Sequence, residues 1–140
     1  MSNVPDLTDF FRSGNYKTEL NATNPLGRGG QLAEAYADLI NEIWSGSNNY
    51  TMPRNFKLQI GRFAPQFTGF QQQDSHELLA FLLDGLHEDL NRIIKKPYVE
   101  MGSHLGKTDE QFAQESWNDH LKRNDSIIVD LFHGKFYNII

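Results

Sequence analysis

The chain has 140 residues, carries a formal net charge of −5 and contains no cysteine. It therefore has no thiol for a disulfide framework, a thiolate zinc site or a cysteine nucleophile. The acidic balance disfavours a nucleic-acid partner, and no apolar run approaches the roughly 20 residues of a membrane span. Because the N-terminus also lacks a secretory signal, we expect an intracellular protein of the cytoplasm or the nucleus, with no membrane partner.

The first part of the chain predicts two helices separated by a loop. A short helix follows Pro5 and ends at Gly14. Residues 21–30 concentrate asparagine, proline and glycine, which predicts a loop. Apolar residues then recur every three or four positions from Gln31 to Trp44, which predicts an amphipathic helix with Trp44 on its buried face.

The next segment has a weaker helical pattern. Thr51 resembles an N-cap, and the apolar stripe that follows it predicts a helix ending near Gly61. Residues 64–70 combine proline and glycine with Phe67 and Phe70, which predicts a structured loop whose aromatic rings pack on the core.

A long helix is predicted to begin at residue 75. Asp74 and Glu77 have the spacing of a capping box, in which each side chain accepts a bond from the other residue's backbone N–H. Pro97 forbids continuation of the helix. The predicted buried stripe consists of Leu79, Leu82, Leu83, Leu86, Leu90, Ile93 and Ile94, with Asp84, His87, Glu88, Asn91 and Arg92 on the opposite face. Arg92 and the lysines after it suit the C-terminal end of such a helix without any partner.

The last part of the chain predicts two more helices and a strand. Thr108 and Gln111 form a second capping box, for a helix that continues through Leu121. The apolar run after Ser126 is ambiguous between helix and strand, although Ser126 as a cap favours helix. Residues 136–140 predict a β-strand whose partners are missing, so we expect a mainly α-helical piece of a larger domain.

The strongest polar constellation is QQQDSHE at residues 71–77. Asp74 and Glu77 lie one turn apart on the same side of the predicted helix, where both carboxylates could face an arginine. Simple helix capping explains the same residues and is the interpretation that residue types alone favour. A catalytic triad of Asp74, Ser75 and His76 is excluded, because consecutive helical residues point in different directions.

The histidines provide little support for a metal site. They show neither an HExxH pair nor ligand spacing with acidic residues, so we expect surface or packing roles. His133 sits at the end of a helical run, where an imidazole interacts favourably with terminal carbonyls. The five are His76, His87, His104, His120 and His133.

The string QQDSHELL at residues 72–79, continued by AFLLDGLHEDLN at 80–91, resembles the QQD box of ubiquitin-specific proteases. NPLG at 24–27, WSG at 44–46, FAPQF at 63–67 and RNDSIIVDLFHG at 123–134 are similar to further segments of this family. The order of the segments agrees with the family, and the resemblance covers essentially the whole chain. It points to the subgroup that carries DUSP and ubiquitin-like modules.

The resemblance implies an α+β papain-like cysteine protease domain, of which residues 1–140 would be the helical thumb, truncated at both ends. The catalytic cysteine would immediately precede Met1, and its histidine and Asp/Asn partners would lie beyond Ile140. Zinc-binding cysteines of the fingers subdomain, where present, would also follow Ile140. This chain would then contain no catalytic residue, no metal ligand and no cofactor.

Three residues match family positions that contact the arginine-rich C-terminal tail of ubiquitin, namely Gln72, Asp74 and Glu77. The resemblance therefore implies a segment of a deubiquitinase whose partners are ubiquitin and ubiquitinated proteins, with Asp74 both capping the helix and facing ubiquitin. His76 departs from the family, which more often has glutamine there. A catalytically dead ubiquitin-binding or scaffold module is the alternative, and a generic helical interaction domain is a third, weaker one.

Overall fold

A computed structural model describes residues 1–100, 102–103 and 105–135, and these residues contain helices and no β-strand. The mainly helical character is thus confirmed, whereas the strand predicted at 136–140 lies outside the described residues. None of the helices in the described part is long and apolar enough to cross a membrane. The helices are α1 (Pro5–Arg12), α2 (Tyr16–Glu19), α3 (Gln31–Trp44), α4 (Arg54–Phe63), α5 (Ser75–Asp89), α6 (Asp109–Leu121) and α7 (Ile127–Phe132), with a short 3-10 turn at Pro65–Phe67.

Helix α3 lies at the centre of the core. It packs against α1, α4 and α5, and α5 in turn packs against α7. Gly85 lets α5 approach α3 closely, because a Cβ there would lie 2.5 Å from Leu32 Cδ2. The side chains that fill the core without exposure to solvent include Leu7, Phe11, Leu32, Ala33, Ala37, Leu86 and Leu90.

The N-terminus of α3 is capped from a distant part of the chain. Gly30, at the N-cap position, has a φ of 80° and offers no side chain. The fully buried carboxylate of Asp89 takes over this role: its Oδ2 accepts bonds from the backbone N–H groups of Leu32 at 3.1 Å and Ala33 at 3.2 Å. Its Oδ1 accepts from the N–H of Arg28. The last residue of α5 thereby satisfies the first orphan donors of α3.

Buried asparagines extend this connection in both directions along the chain. The Asn21 side chain donates to the carbonyl of Asn91 at 2.8 Å, and Asn24 donates to the carbonyl of Glu88 at 2.8 Å. Asn91 Nδ2 donates to the carbonyl of Arg123 at 3.1 Å, while its Oδ1 accepts from the N–H of Asp125. Both loops are therefore fixed to the C-terminal end of α5.

The prediction for α5 is confirmed for its start at Ser75 but wrong for its end. The helix ends at Asp89 instead of continuing toward Pro97, because the following residues turn to make the asparagine contacts. His87 and Asn91, predicted on the exposed face, are buried, whereas Leu79 and Ile94 of the predicted buried stripe are exposed. At the end of α5, polar contacts with distant loops determine which side chains are buried.

Arg92 also differs from the prediction, since it has three acidic partners. Its guanidinium contacts Glu19 at 2.9 Å, Asp125 at 2.6 Å and Asp130 at 3.1 Å. These contacts join α2 and α7 to the segment after α5. Lys96 similarly pairs with Glu88 at 2.8 Å.

Two aromatic residues and one cap were also predicted wrongly. Trp44 is 43% exposed and donates from Nε1 to the carbonyl of Ser2 at 3.1 Å. Phe70 is fully exposed, although Phe67 in the same loop is buried as predicted. Helix α4 begins at Arg54 after Pro53 in the N-cap position, so Thr51 does not cap it, and it continues two residues beyond Gly61.

The remaining helix starts follow local signals and are confirmed. Thr108 and Gln111 form the complete predicted capping box at α6. Ser126 Oγ accepts from the N–H of Val129 at 3.3 Å, so the ambiguous run after Ser126 is helical.

We expect Asp89→Ala to lower the free energy of unfolding by about 3 kcal/mol, because three backbone donors, two of them buried, lose a carboxylate acceptor. Asp89→Asn keeps one acceptor oxygen and should lose about half as much. Urea unfolding measures both values. Asp84→Ala, at an exposed position of the same helix, is the control and should change stability by less than about 0.5 kcal/mol. An Asp89→Ala midpoint equal to that of the unmodified chain would contradict the proposed cap.

Candidate functional site

The α5 N-terminal site, residues 71–77, is exposed along its whole length. Asp74 has an extended backbone and occupies the N-cap position. Its Oδ1 accepts from the N–H of His76 at 2.7 Å and from the N–H of Glu77 at 3.3 Å. Both capping bonds end on Oδ1, so Oδ2 has no partner among the residues that the structure describes. A second ligand can therefore bind this carboxylate without disturbing the cap.

Glu77 does not complete the predicted capping box. Its Oε1 lies 3.5 Å from Nε2 of Gln66, a long and weak hydrogen bond, instead of accepting from the N–H of Asp74. The neighbouring loop competes for this side chain, a contact that spacing within the helix could not predict. Oε2 of Glu77 has no partner in the described part of the chain, which leaves a second carboxylate oxygen free on the first turn of α5.

The three glutamines lead into the helix as an exposed, irregular segment. Gln72 makes no side-chain hydrogen bond to any residue within the described ranges, so its amide can both donate and accept. The structure brings Asp74 and Glu77 together on one helical turn, and it places Gln72 on the segment before them without a contact to either.

The charge arrangement of this site favours a cation over an anion. Helix N-termini usually attract anions because their backbone N–H groups are free, but here Asp74 occupies two of these donors. The groups that remain available are carboxylate oxygens and amides. A guanidinium group can donate paired bonds to such oxygens, and charge-assisted bonds of this kind are stronger than neutral ones.

A match to the model of the ubiquitin carboxyl-terminal hydrolase family extends over residues 1–140. The chain belongs to this family. The resemblance inferred from the QQD string and the shorter motifs is thus confirmed for the whole length of the sequence.

Individual members of the ubiquitin carboxyl-terminal hydrolase family are closely similar. Ubiquitin carboxyl-terminal hydrolase 15 from Homo sapiens is 60% identical over 136 residues, as is the Bos taurus protein of the same name. Ubiquitin carboxyl-terminal hydrolase 4 from Bos taurus is 59% identical over 136 residues. Each match covers 97% of this chain but 14% of the relative, so the chain spans a small part of these hydrolases.

A second polar group, the histidine cluster of His87, His120 and His133, joins α5, α6 and the end of α7. His87 uses both ring nitrogens, Nδ1 with Ser126 Oγ at 2.8 Å and Nε2 with Asn124 Oδ1 at 3.2 Å. His120 Nε2 lies 3.3 Å from Nδ1 of His133. No group of three or more possible metal ligands occurs within residues 1–100, 102–103 and 105–135. The cluster therefore connects α5, α6 and α7. His133 follows the last residue of α7, as predicted, and its side chain also contacts His120.

Burial lowers the pKa of His87, and the hydrogen bond with Asn124 only partly opposes this effect. Burial also lowers the pKa of His120, with smaller contributions from His133 and His87. Both shifts mean that the folded chain favours neutral imidazoles at the junction of α5, α6 and α7.

Asp74→Ala should destabilise the chain by about 1 kcal/mol, because the N–H groups of His76 and Glu77 lose their acceptor. Asp74→Ser preserves a cap and should recover most of that loss. Amide hydrogen exchange at residues 75–78 provides the local measurement, with faster exchange expected in the alanine variant alone. Unchanged exchange in Asp74→Ala would contradict the capping role.

The histidine cluster predicts a loss of stability on acidification. Because the pKa of folded His87 lies below its usual 6.5, the unfolded chain binds the proton more readily. Stability should be complete above pH 6.5 and should decline as the pH falls below it. Urea unfolding between about pH 7.5 and 5.5 measures this slope.

Two variants assign the pH slope to the cluster. His87→Gln removes the titrating ring and should flatten the slope, whereas His76→Gln, at an exposed position, should preserve it. Equal slopes in the unmodified chain and His87→Gln would show that His87 does not cause the effect.

Proposed function

We propose that this chain is the ubiquitin-binding thumb of a deubiquitinating cysteine protease, which hydrolyses isopeptide bonds at the C-terminus of ubiquitin in the cytoplasm or nucleus. Residues 1–140 would form part of an α+β papain-like catalytic domain. The partners would be ubiquitin and ubiquitinated proteins. The reaction class follows from membership in the ubiquitin carboxyl-terminal hydrolase family.

The observation that carries the proposal is the pair of exposed carboxylates at the start of α5. Among the described residues, Asp74 and Glu77 each have a carboxylate oxygen without a partner on the same turn, and the amide of Gln72 on the preceding segment also makes no side-chain hydrogen bond. An arginine-rich tail in extended conformation is the complementary ligand, because its guanidinium groups can bind the carboxylates while its backbone meets the amide.

The role of this chain in the reaction would be to hold and orient the tail. Attack on an isopeptide carbonyl in this protease class needs a cysteine thiolate, and the chain has no cysteine. Other segments of the whole protein must then supply the reacting groups. Fixing the tail at α5 would position the scissile bond next to these reacting groups. The binding energy of the tail would then offset part of the entropic cost of orienting the substrate, which lowers the activation barrier.

A catalytically dead ubiquitin-binding or scaffold module is the second candidate function. It requires the same carboxylates and amide, so binding studies do not distinguish it from the protease. The observation that supports this second candidate is that the sequence contains no cysteine.

We expect Asp74→Lys combined with Glu77→Lys to weaken ubiquitin binding by the natural-length protein about a hundredfold, since two charge-assisted contacts become repulsive. Asp84→Lys, at an exposed position further along α5, makes the same kind of charge change and should leave affinity within about twofold. Isothermal titration with ubiquitin provides the measurement. Ubiquitin with its tail arginines replaced by glutamate should bind the double variant better than it binds the unmodified protein.

The charge exchange is the decisive part of that experiment. If the double variant bound both forms of ubiquitin as the unmodified protein does, the proposed site would be wrong. If affinity fell for both forms without any recovery, the effect would be structural and the contact with the tail would again be refuted.

The 140-residue chain by itself should not hydrolyse a ubiquitin C-terminal fluorogenic reporter, because it lacks a nucleophile. The natural-length protein should hydrolyse it if the protease assignment is correct. Binding of ubiquitin without hydrolysis by the natural-length protein would instead support the scaffold module. Hydrolysis by the isolated chain would contradict the proposed division of roles.

A further inference from the structure

A long stretch of this acidic chain carries only positive charge. Residues 43–73 contain no aspartate or glutamate, whereas α4 within this stretch carries Arg54, Lys57 and Arg62. The net charge of the whole chain is −5, so the three cations of α4 form a local reversal of sign. Such a reversal attracts a negatively charged partner to this face.

The cations of α4 are not neutralised within the described structure. Arg62 donates to the amide oxygens of Gln59 at 3.2 Å and Gln31 at 3.4 Å, and Lys57 donates to the carbonyl of Gly69 at 2.8 Å. Arg54 is exposed, and none of the three forms an ion pair with a carboxylate of the residues described. Their charge remains available to a ligand.

These cations surround an apolar depression of about 580 Å³, which we call the α4 groove. Its lining includes Leu58, which is 56% exposed, and the fully exposed Phe70. Gly61 lets Thr68 approach α4, because a Cβ at Gly61 would lie 2.7 Å from Thr68 Cγ2. The loop after α4 is thereby brought against the helix, and its residues Thr68 and Phe70 line the groove.

Lys57 positions Phe70 in this groove. Its Nζ lies 4.2 Å from the centroid of the Phe70 ring and also contacts the carbonyl of the preceding residue. A cation above an aromatic face is stabilising, so an otherwise unsupported ring is kept at the surface. An exposed aromatic residue beside a positive charge is typical of a surface that binds a partner. Leaving such a ring in contact with water alone is energetically unfavourable.

We propose that the α4 groove binds an acidic peptide segment of a partner protein, with a large apolar side chain of the peptide inserted between Leu58 and Phe70. Carboxylates on either side of this anchor would contact Arg54 and Arg62. The ubiquitin tail does not fit the groove, because its arginines would be repelled. A single-stranded nucleic acid fits less well than a peptide, since Phe70 is the one aromatic residue lining the groove and successive bases need several stacking platforms.

Fluorescence anisotropy of a fluorescein-labelled, glutamate-rich peptide with a central Leu-Phe pair tests this proposal on the natural-length protein. We expect saturable binding that weakens as salt is raised. Replacing the Leu-Phe pair of the peptide by serines, or its glutamates by lysines, should each reduce affinity by about tenfold or more. Absence of saturable binding, or equal binding of all three peptides, would overturn the proposal.

Two sets of protein variants locate the site. Arg54→Glu with Arg62→Glu, and separately Phe70→Ser, should each weaken peptide binding about tenfold. Arg12→Glu with Lys17→Glu changes the net charge as much as the first pair, at exposed residues outside the groove, and should leave affinity within about twofold. Equal losses in the control pair would show that general charge causes the binding.

A labelled deoxythymidine oligonucleotide tests whether the groove binds a single-stranded nucleic acid instead of an acidic peptide. Binding of this oligonucleotide more tightly than the peptide, with loss in the Arg54→Glu and Arg62→Glu variant, would overturn the peptide assignment. Weaker or undetectable oligonucleotide binding would support it. Because these measurements contain no ubiquitin, their failure would leave the proposed deubiquitinase function unaffected, and the reverse also holds.

Discussion

The buried carboxylate of Asp89 is the constraint on which the arrangement of the other elements depends. A buried carboxylate needs hydrogen-bond donors, and it finds two backbone N–H groups at the start of α3 and a third, that of Arg28, in the loop before it, more than fifty residues earlier in the chain. Gly30 leaves these donors without a local cap, and Gly27 leaves space for the carboxylate, since a Cβ there would lie 3.1 Å from Oδ1. The two helices are therefore joined end to end by one group, and the asparagines around it fix the adjoining loops.

This connection determines where two surfaces of opposite charge lie. Helix α3 contacts both α4 and α5, so fixing α5 to α3 also sets the α4 groove relative to the α5 N-terminal site. The carboxylates of Asp74 and Glu77 suit a basic tail, whereas Arg54 and Arg62 suit an acidic segment. The loop between α4 and α5 contributes to both surfaces: Gln66 contacts Glu77, and Phe70 lines the groove.

The features that could be predicted from sequence are those with local causes. Asp74, Thr108 and Ser126 cap the helices that follow them within three residues, so spacing alone located these starts. The end of α5 could not be predicted, because Asp89 and Asn91 bind donors and acceptors that are distant in sequence. The exposed carboxylates of the candidate site followed from the QQD string, although the contact of Glu77 with Gln66 did not. The α4 groove was also missed, and the absence of acidic residues from 43 to 73 is the signal that could have indicated it.

The central claim is that the start of α5 contacts the C-terminal tail of ubiquitin, and site-specific photocrosslinking tests it most directly. A photoreactive amino acid placed at Gln72 of the natural-length protein, irradiated with ubiquitin and analysed by mass spectrometry, should form a crosslink to the arginine-containing tail. The same amino acid at Ser47, an exposed position beyond the end of α3, should form none. Crosslinks from position 72 that map to the globular body of ubiquitin, or equal crosslinking from both positions, would contradict the account.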